Sequence, residues 1–308
     1  MKIDVIIPVY RPTEKLHKVL YRLCRQTHLP EQIILLHTRD GIKLDVSVCK
    51  DRVSVTEIPI LEKEFDHGRT REQGIWMSDA DIVVMMTQDA MPADDNLIEQ
   101  LTEPLRDQVA VSYARQLPRE DCAPVECYTR DFNYPAQSRI KSAEDLKTLG
   151  IKTFFCSNVC AAYRREIYEE LGGFVKHTIF NEDMIYAAKA VEAGYAIAYA
   201  ADARVIHSHN YTNVQQFQRN FDLGVSQAEH PEVFAAYPSE SEGKRMVKDV
   251  TAYLRKNHMS GKLLHFYIQC ACKYAGYLLG KNYRRLPGKW VLAFTSNKEY
   301  WKQNRKDV

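Results

Sequence analysis

Asp89 is the first residue whose type and position could do chemistry. It follows the apolar run Ile82–Met86 in the sequence Thr-Gln-Asp-Ala at positions 87–90, so it is predicted at the carboxyl end of a buried strand. Open α/β sheets bind their ligands at that edge. A carboxylate there can hold a metal ion or orient a phosphate or a sugar. The alternative interpretation is an aspartate that only stabilises a turn.

A second acidic group, Glu182 and Asp183, follows Asn181 at the predicted start of a helix. Acidic residues in a first helical turn are favoured by the helix dipole, which is a purely structural reason for them. The functional hypothesis is that Asp183 is a general base. A base at a helix start is held rigidly and can lie within hydrogen-bonding distance of an acceptor hydroxyl.

Two histidines, His207 and His209, follow the last predicted strand. Alternate residues of a strand point to the same face, so both imidazoles would face the same way if the strand continued. Together with Asp89 they could ligate a metal ion. A histidine pair of this kind is more often structural or solvent-facing.

The segment 65–74 contains His67, Gly68, Arg69, Thr70 and Arg71 ahead of a predicted helix. Gly68 permits a tight turn and Thr70 can cap the helix. Backbone N–H groups at a helix start, with either arginine, suit a phosphate. The alternative is a solvated basic loop.

These residues are positioned by strands that alternate with helices over the first ~115 residues, a pattern that predicts βαβ units and a mainly parallel sheet. Strands are predicted at 3–10, 33–36, 53–58, 82–86, 110–114 and 195–206. Residues 121–147 are polar, contain two prolines and have no clear period, so they are predicted to form a long loop. After residue 209 the pattern is helical.

Composition limits the class of protein. The 308 residues are 45% hydrophobic and 27% charged, which is typical of a globular protein with a substantial core. A net charge of +2 gives no reason to expect nucleic-acid binding. The N-terminus has no signal-peptide pattern. The eight cysteines lack Cys-x-x-Cys spacing. We therefore expect a cytoplasmic protein whose thiols are reduced. Cys156 and Cys160 are expected to fill the core.

The ordered set of motifs resembles the inverting family-two glycosyltransferases, which have the GT-A fold, and it is most similar to their rhamnosyltransferase-like branch. The resemblance runs from residue 1 to about residue 224. It implies an α/β nucleotide-sugar-binding fold, with a catalytic domain at 1–224 and a helical C-terminal region at 225–308. The matching segments are 6–10, 65–71, 87–90, 181–183 and 207–209.

The resemblance also implies a role for each matching residue. Asp183 would deprotonate the acceptor hydroxyl, and Glu182 would assist it or bind the acceptor. Asp89 would hold a divalent ion, Mg²⁺ or Mn²⁺, with His209 as the first choice of further ligand and His207 as the second. The donor-binding residues would be Pro8, Tyr10, Arg11, Asp40, His67, Gly68, Arg71, Gln88 and Asp89.

One departure from the family pattern concerns the metal motif. Many relatives carry Asp-x-Asp, whereas this chain has Gln88-Asp89-Ala90, with one acid in place of two. The rhamnosyltransferase-like branch resembles this version. A hard cation is bound less tightly by fewer charged ligands, so we expect a metal site of lower affinity. The sequence leaves open whether transfer depends on the metal or is only assisted by it.

The expected activity is transfer of a sugar to a hydroxyl of a saccharide or lipid-linked saccharide in surface polysaccharide synthesis. The donor that we expect first is dTDP-rhamnose, which would supply L-rhamnose. A UDP-hexose donor, or a non-catalytic nucleotide-sugar-binding protein on the same fold, is the alternative. A Rossmann oxidoreductase is disfavoured because Val9-Tyr10-Arg11-Pro12 occupies the turn where Gly-x-Gly-x-x-Gly is expected.

The C-terminal third contains an aromatic and apolar segment at 263–279 with lysines and arginines around it. It predicts a helix that packs on the catalytic domain, lies on the inner face of the cell membrane against anionic lipid, or forms a homodimer. The sequence leaves these three open.

Overall fold

The structure is a computed structural model that describes residues 1–237 and 240–303. The chain divides into two compact units. The first contains Met1–Glu120, Tyr134–His177 and Glu182–Ser208. The second contains Asp121–Asn133, Thr178–Asn181 and the chain from His209 onward.

The first unit is built on one sheet of nine strands in the described part of the chain. The strands are β1 (Ile3–Val9), β2 (Gln32–Thr38), β3 (Ser54–Ile60), β4 (Ile82–Met86), β5 (Met91–Pro92), β6 (Val109–Leu117), β7 (Arg139–Lys141), β8 (Cys160–Arg164) and β9 (Ala196–Ile206). Their order is β3-β2-β1-β4-β8-β6-β9-β5, and β7 pairs with β9.

The sheet is mixed, which differs from the mainly parallel sheet that the sequence predicts. Strands β3, β2, β1 and β4 are parallel neighbours, as expected from the βαβ pattern. Strand β8 is antiparallel to both of its neighbours, β4 and β6. An inserted antiparallel strand leaves no trace in hydrophobic periodicity, because both faces of β8 are covered and it is as apolar as a parallel strand.

Thirteen helices are assigned within residues 1–237 and 240–303. They are α1 (Glu14–Leu23), α2 (His67–Trp76), α3 (Leu97–Thr102), α4 (Pro124–Asn133), α5 (Leu146–Leu149), α6 (Arg165–Glu170), α7 (Glu182–Glu192), α8 (Asn213–Glu229), α9 (Pro231–Phe234), α10 (Glu240–Lys256), α11 (Leu263–Lys281), α12 (Gly288–Phe294) and α13 (Lys298–Gln303). Six of them, α1–α3 and α5–α7, belong to the first unit.

The core of the first unit lies between the sheet and its helices. Helix α1 buries Leu16, Val19, Leu20 and Leu23, the i, i+3, i+4, i+7 spacing of an amphipathic helix. Its start is fixed by Thr13, whose hydroxyl accepts from the N–H of Lys15. The expectation that Cys156 and Cys160 fill the core is confirmed, since each is 2% exposed.

The predicted loop at 121–147 contains regular structure. It forms α4 in the second unit, then β7 and the start of α5 in the first. Pro124 begins α4 instead of interrupting it, because the first turn of a helix does not need the missing N–H. Strand β7 is anchored by the buried Lys141, whose Nζ donates to the carbonyls of Lys152 and Phe155 at 3.1 and 2.5 Å. Such anchoring by tertiary contacts has no local sequence pattern.

The second unit is helical in all of its described elements, which are α4 and α8–α13. Two apolar clusters hold it together. One contains Phe221, Val225 and Trp301, and the other contains Val250, Leu254 and Phe266. No helix in the described residues is long and apolar enough to cross a membrane.

Helices α8 and α11 approach each other very closely through glycines. A Cβ at Gly276 would lie 2.2 Å from the carbonyl oxygen of Phe217, and a Cβ at Gly280 would lie 2.0 Å from that of Phe221. These neighbours are backbone atoms, so they cannot move aside as a flexible side chain would. The absence of a side chain at both positions sets the distance between the two helices.

Replacing Gly276 by alanine is therefore expected to lower the free energy of unfolding by about 1–3 kcal/mol, the usual cost of overpacking. Helix propensity alone would favour alanine by about 1 kcal/mol. A decrease in the free energy of unfolding would therefore show that the close contact outweighs helix propensity. Urea unfolding followed by circular dichroism measures it.

Gly243 is the matched control, because it lies in α10 of the same unit, where an added Cβ would meet no atom within 4 Å. Gly243→Ala should leave the protein as stable or stabilise it. Equal stabilisation by Gly276→Ala would show that the helices are not held at this distance.

Candidate functional site

Asp89 lies just beyond the carboxyl end of β4, as predicted. Strand β4 pairs with β1 on one side and β8 on the other. After the strand, the N–H of Thr87 donates to the carbonyl of Val159, and the N–H of Ala90 donates to the carbonyl of Thr87. The Asp89 side chain is 23% exposed. This turn therefore presents the carboxylate at the edge of the sheet.

His207 lies beside Asp89, with its Nε2 3.6 Å from the Asp89 Oδ1. Its Nδ1 is 2.9 Å from the amide oxygen of Gln116, on β6. The amide nitrogen of Gln116 donates to the hydroxyls of Tyr134 and Ser157, which assigns the amide oxygen to the imidazole. Nδ1 then donates to Gln116, and Nε2 is the nitrogen that faces Asp89.

This pair has the chemistry of a divalent metal site. A carboxylate oxygen and an imidazole nitrogen are both metal ligands, and a second hydrogen bond that fixes the imidazole tautomer is usual in such sites. His209 comes two residues later in the chain and belongs to the second unit, where its ring stacks on Tyr211 with the centroids 4.9 Å apart.

Glu182 and Asp183 open α7, and both are held by Asn158. The backbone N–H of Asn158 donates to the Asp183 Oδ2 at 2.9 Å. Its side-chain amide donates to the Glu182 Oε1 at 3.0 Å. The same Glu182 oxygen lies 3.2 Å from a guanidinium nitrogen of Arg71. Asp183 stays partly exposed, whereas Glu182 is 5% exposed.

The two carboxyl groups differ in proton affinity. Burial raises the pKa of Asp183 to about 7, and the negative charge of Glu182 adds to the effect. Burial acts on Glu182 as well, but Arg71, His67 and the Asn158 amide outweigh it and lower its pKa. Near neutral pH, Asp183 can therefore take up a proton while Glu182 stays ionised.

Helix α2 begins at His67 and is capped by Asp66, not by Thr70 as the sequence suggested. The Asp66 Oδ1 accepts from the N–H groups of Gly68 and Arg69, and the Thr70 hydroxyl accepts from the N–H of Asp66. These helix-start donors are thus already used within the chain, which corrects the expectation that they form a phosphate site. The alternative of a solvated loop is also wrong at Arg71, because that side chain is buried.

Gly68 is required by a close approach of the chain. A Cβ at this position would lie 2.2 Å from the carbonyl oxygen of Val175. The first turn of α2 can therefore lie against the segment that leads towards α7. That placement brings Arg71, one turn later, to Glu182.

The ends of β1, β2 and β4 are tied together by side chains. The Gln88 amide accepts from the N–H of Tyr10 and donates to its carbonyl, at 3.1 and 2.8 Å. Arg11 has a φ of 47°, and its N–H donates to the Asp40 Oδ2 at 2.6 Å. Pro8 lies in β1 opposite Leu36 of β2. The predicted donor-binding residues of these three strands thus share one sheet edge.

Asp40 is itself fixed by His37 at the end of β2. The His37 Nε2 lies 3.2 Å from Asp40, and its Nδ1 lies 2.8 Å from Glu57 of β3. Burial would raise the pKa of Asp40, but the N–H donors of Ile42 and Arg11, together with His37, lower it below its ordinary value. Asp40 is therefore an ionised acceptor at neutral pH.

Sequence reasoning missed four residues that organise these groups: Gln116, Asn158, His37 as a partner of Asp40, and Asp66 as the cap of α2. Asp66 had a usable signal, because an aspartate directly before a helix is a common cap. Gln116 and Asn158 had only a weak signal, namely a polar side chain at the end or start of an apolar strand. Their partners lie 91 and 24 residues away in the chain.

The sequence matches the family described as "Glycosyltransferase like family 2" over residues 2–222. The O-antigen chain rhamnosyltransferase RfbN of Salmonella typhimurium is 40% identical over 98% of this chain and 96% of its own length. The O-antigen chain rhamnosyltransferase WbaN of Salmonella anatum is 39% identical over 96% of this chain and 95% of its own length.

Solved structures share the fold at low sequence identity. The mannosyltransferase PcManGT from Pyrobaculum calidifontis, in complex with GDP-Man and Mn²⁺, has a TM-score of 0.57 at 15% identity over 99% of this chain and 86% of that chain. S. aureus TarS 1–349 has a TM-score of 0.57 at 12% identity over 100% of this chain and 88% of that chain. These similarities confirm the predicted GT-A-like α/β fold.

The predicted glycosyltransferase family is confirmed as well, because the family match and both rhamnosyltransferases span most of the sequence. This chain belongs to glycosyltransferase family 2.

Proposed function

We propose that this enzyme transfers L-rhamnose from dTDP-L-rhamnose to a hydroxyl of a saccharide, carried on a lipid, during O-antigen-type polysaccharide synthesis. The observation that carries the donor assignment is the 39–40% identity to two O-antigen chain rhamnosyltransferases over nearly the whole chain. Catalysis is assigned to residues 1–224, and residues 225–308 are assigned an accessory role at the membrane.

Asp183 is proposed as the base of an inverting displacement. The acceptor oxygen forms a bond to the anomeric carbon, the bond from that carbon to the diphosphate oxygen breaks, and the diphosphate leaves with the electron pair. The acceptor proton goes to the Asp183 carboxylate. Its raised pKa and partial exposure support this role, since a base works best with a pKa near the working pH.

The donor is proposed to lie along the edge formed by β1, β2 and β4. Asp40 would accept a hydrogen bond from the base of the nucleotide, with Pro8, Tyr10 and Arg11 around it. The Gln88 contacts that hold Tyr10 and the ion-paired position of Arg71 support a preformed site. His67 and Gly68 would approach the donor from α2.

A divalent cation is proposed at Asp89 and His207. When bound, the cation would neutralise charge on the departing diphosphate. The imidazole ligand favours Mn²⁺ over Mg²⁺, because Mg²⁺ strongly prefers oxygen. Gln116 would keep the Nε2 of His207 available to the cation through its bond to Nδ1.

Substitution of the proposed base is expected to abolish transfer selectively. Asp183→Asn should lower kcat by about 10²–10⁴-fold, the usual contribution of a general base, and leave the KM for the donor unchanged. The measurement is release of dTDP from dTDP-L-rhamnose in the presence of a lipid-linked saccharide. Wild-type kcat/KM should rise with pH through about 7, because Asp183 is active only when deprotonated.

Asp202→Asn, an exposed acid on β9, is the control for this experiment and should retain full activity. An active Asp183→Asn enzyme would exclude Asp183 as the base. Turnover of a UDP-hexose in preference to dTDP-L-rhamnose would overturn the donor, and nucleotide binding without any turnover would favour a non-catalytic role.

The metal site predicts a specific effect of Gln116. Gln116→Leu should weaken Mn²⁺ binding by about 10–100-fold, as loss of an outer partner of a metal-binding histidine usually does. Gln116→Glu keeps an acceptor for Nδ1 and should bind nearly as well as the wild type. Electron paramagnetic resonance of free Mn²⁺ measures both without a need for turnover. Unchanged affinity in Gln116→Leu, or in Asp89→Asn, would refute the site.

Helix α11 of the second unit supports a contact with an anionic membrane surface. One face of it exposes a line of large apolar side chains, namely Leu264, Tyr267, Ile268, Tyr274 and Leu278. Leu264 is 73% exposed and Tyr274 is 57% exposed. Scattered apolar residues are common on protein surfaces, but a line of them along one helix marks an interaction surface.

The charge around this helix favours anionic lipid as the partner. Residues 250–298 contain no Asp or Glu. They contain nine basic residues: Arg255, Lys256, Lys262, Lys273, Lys281, Arg284, Arg285, Lys289 and Lys298. An apolar line beside basic side chains is the arrangement of a helix that lies in the plane of a membrane. A lipid-linked acceptor would be presented at that surface.

Vesicle sedimentation tests this contact. The wild type should bind vesicles that contain phosphatidylglycerol, with affinity that falls as salt is added, and should bind pure phosphatidylcholine weakly. Leu264→Glu with Leu278→Glu should reduce binding about tenfold or more, because two apolar anchors are lost and two like charges are introduced.

Leu29→Glu is the matched control, an exposed leucine in the first unit. Equal binding by the double variant and the control would refute the surface. If sedimentation equilibrium instead showed a wild-type dimer that the double variant cannot form, the face would be a contact between two copies of the chain.

A further inference from the structure

Asn158 occupies a central position beside Glu182 and Asp183, although the segment before β8 in which it lies carries no recognisable motif. It is 3% exposed and uses three groups at once. Its backbone N–H donates to Asp183, its side-chain N–H donates to Glu182, and its side-chain oxygen accepts from the Tyr163 hydroxyl at 2.7 Å. One residue therefore contacts both carboxylates and is itself held in place.

Tyr163 holds Asn158 in place because its own ring is fully buried and packed among other rings. It is 0% exposed, and its ring packs edge-on against Tyr168, Phe174 and Tyr186, with centroid distances of 5.3–6.1 Å. Tyr186 lies on α7, one turn after Asp183. The aromatic cluster thus fixes strand β8 to the helix that carries the two acids.

We propose that Asn158 is a positioning residue that holds Glu182 ionised next to Asp183, so that the charge of Glu182 makes Asp183 an effective base. This inference rests on the proposed role of Asp183 and adds the residue that controls the proton affinity of its carboxyl group. Two like charges on adjacent residues favour loss of one of them. The amide of Asn158 and the guanidinium of Arg71 both bind Glu182, so the carboxyl that gains the proton is Asp183.

Other groups also face this carboxylate pair and are kept constant in the test. They are Arg71, His67 and Asp66 from α2 and its cap, Cys156 from the segment before β8, Tyr163 from β8 and Tyr168 from α6. Asn158 itself carries no titratable group. Its replacement removes a hydrogen-bond donor without changing the formal charge of the site.

The test is the pH dependence of transfer in Asn158→Ala. Loss of the amide makes Glu182 easier to protonate, and a neutral Glu182 no longer raises the proton affinity of Asp183. The acidic limb of kcat/KM should therefore move to lower pH by about 0.5–1 unit. The kcat should fall about tenfold while the KM for the donor stays the same, because the base is weaker and less well oriented.

A double-mutant cycle separates this role from a merely structural one. If Asn158 acts through the charge of Glu182, adding Asn158→Ala to Glu182→Gln should cause no further shift of the acidic limb. A shift that is equally large in both backgrounds would overturn the proposal. The proposal would also be overturned if the acidic limb of kcat/KM were at the same pH in Asn158→Ala as in the wild type, whatever the stability of the variant.

Tyr163→Phe provides a second route if Asn158→Ala folds poorly, since it removes only the hydroxyl that orients the amide. It should move the limb in the same direction by a smaller amount. Asn96→Ala is the matched control, because Asn96 is exposed at the start of α3 and makes no capping bond with its side chain. It should leave the pH profile unchanged.

Carbon-13 NMR of the Asp183 carboxyl keeps the inference testable without turnover. The signal is assigned by its loss in Asp183→Asn, and its titration in the wild type and in Asn158→Ala gives the shift directly. A wild type that transfers no sugar would count against the proposed function alone. An identical Asp183 titration in both proteins would count against the role of Asn158 alone.

Discussion

The repulsion between two adjacent carboxylates at the start of α7 is the constraint on which the candidate site depends. Glu182 and Asp183 cannot both be buried and ionised without compensation. The structure supplies compensation unequally, because Arg71 and the Asn158 side chain contact Glu182, whereas backbone N–H groups are the bonded partners of Asp183. The inequality makes two neighbouring acids chemically different, as the proposed roles of Asp183 as base and Glu182 as a fixed negative charge require.

The sheet and α2 are placed so that this compensation is possible. Strand β8 runs antiparallel between β4 and β6, so the residues before its first position lie at the carboxyl edge, where Asn158 meets α7. Helix α2 reaches the same point because Gly68 allows it to approach Val175 and because Asp66 caps its first turn. The antiparallel insertion thus has a direct chemical consequence.

Much of the site was predictable from the residues themselves. Asp89 after an apolar strand, and acids at the start of a helix, were identified from local pattern, since both signals depend on a few neighbouring residues. The contact of His207 with Gln116 and the burial of Arg71 against Glu182 were not predictable. Each joins segments about 90 or more residues apart, and neither partner differs in type from an ordinary surface residue.

The sequence by itself determined the family, the alternation of strands and helices, and the positions of acidic residues at the end of a strand and the start of a helix, because hydrophobic period and motif order are local properties. Only the tertiary structure decided how β8 is inserted and which acid is paired with a cation. It also decided which imidazole nitrogen faces Asp89. These depend on long-range packing, in which a buried polar group must find a partner wherever the fold brings one.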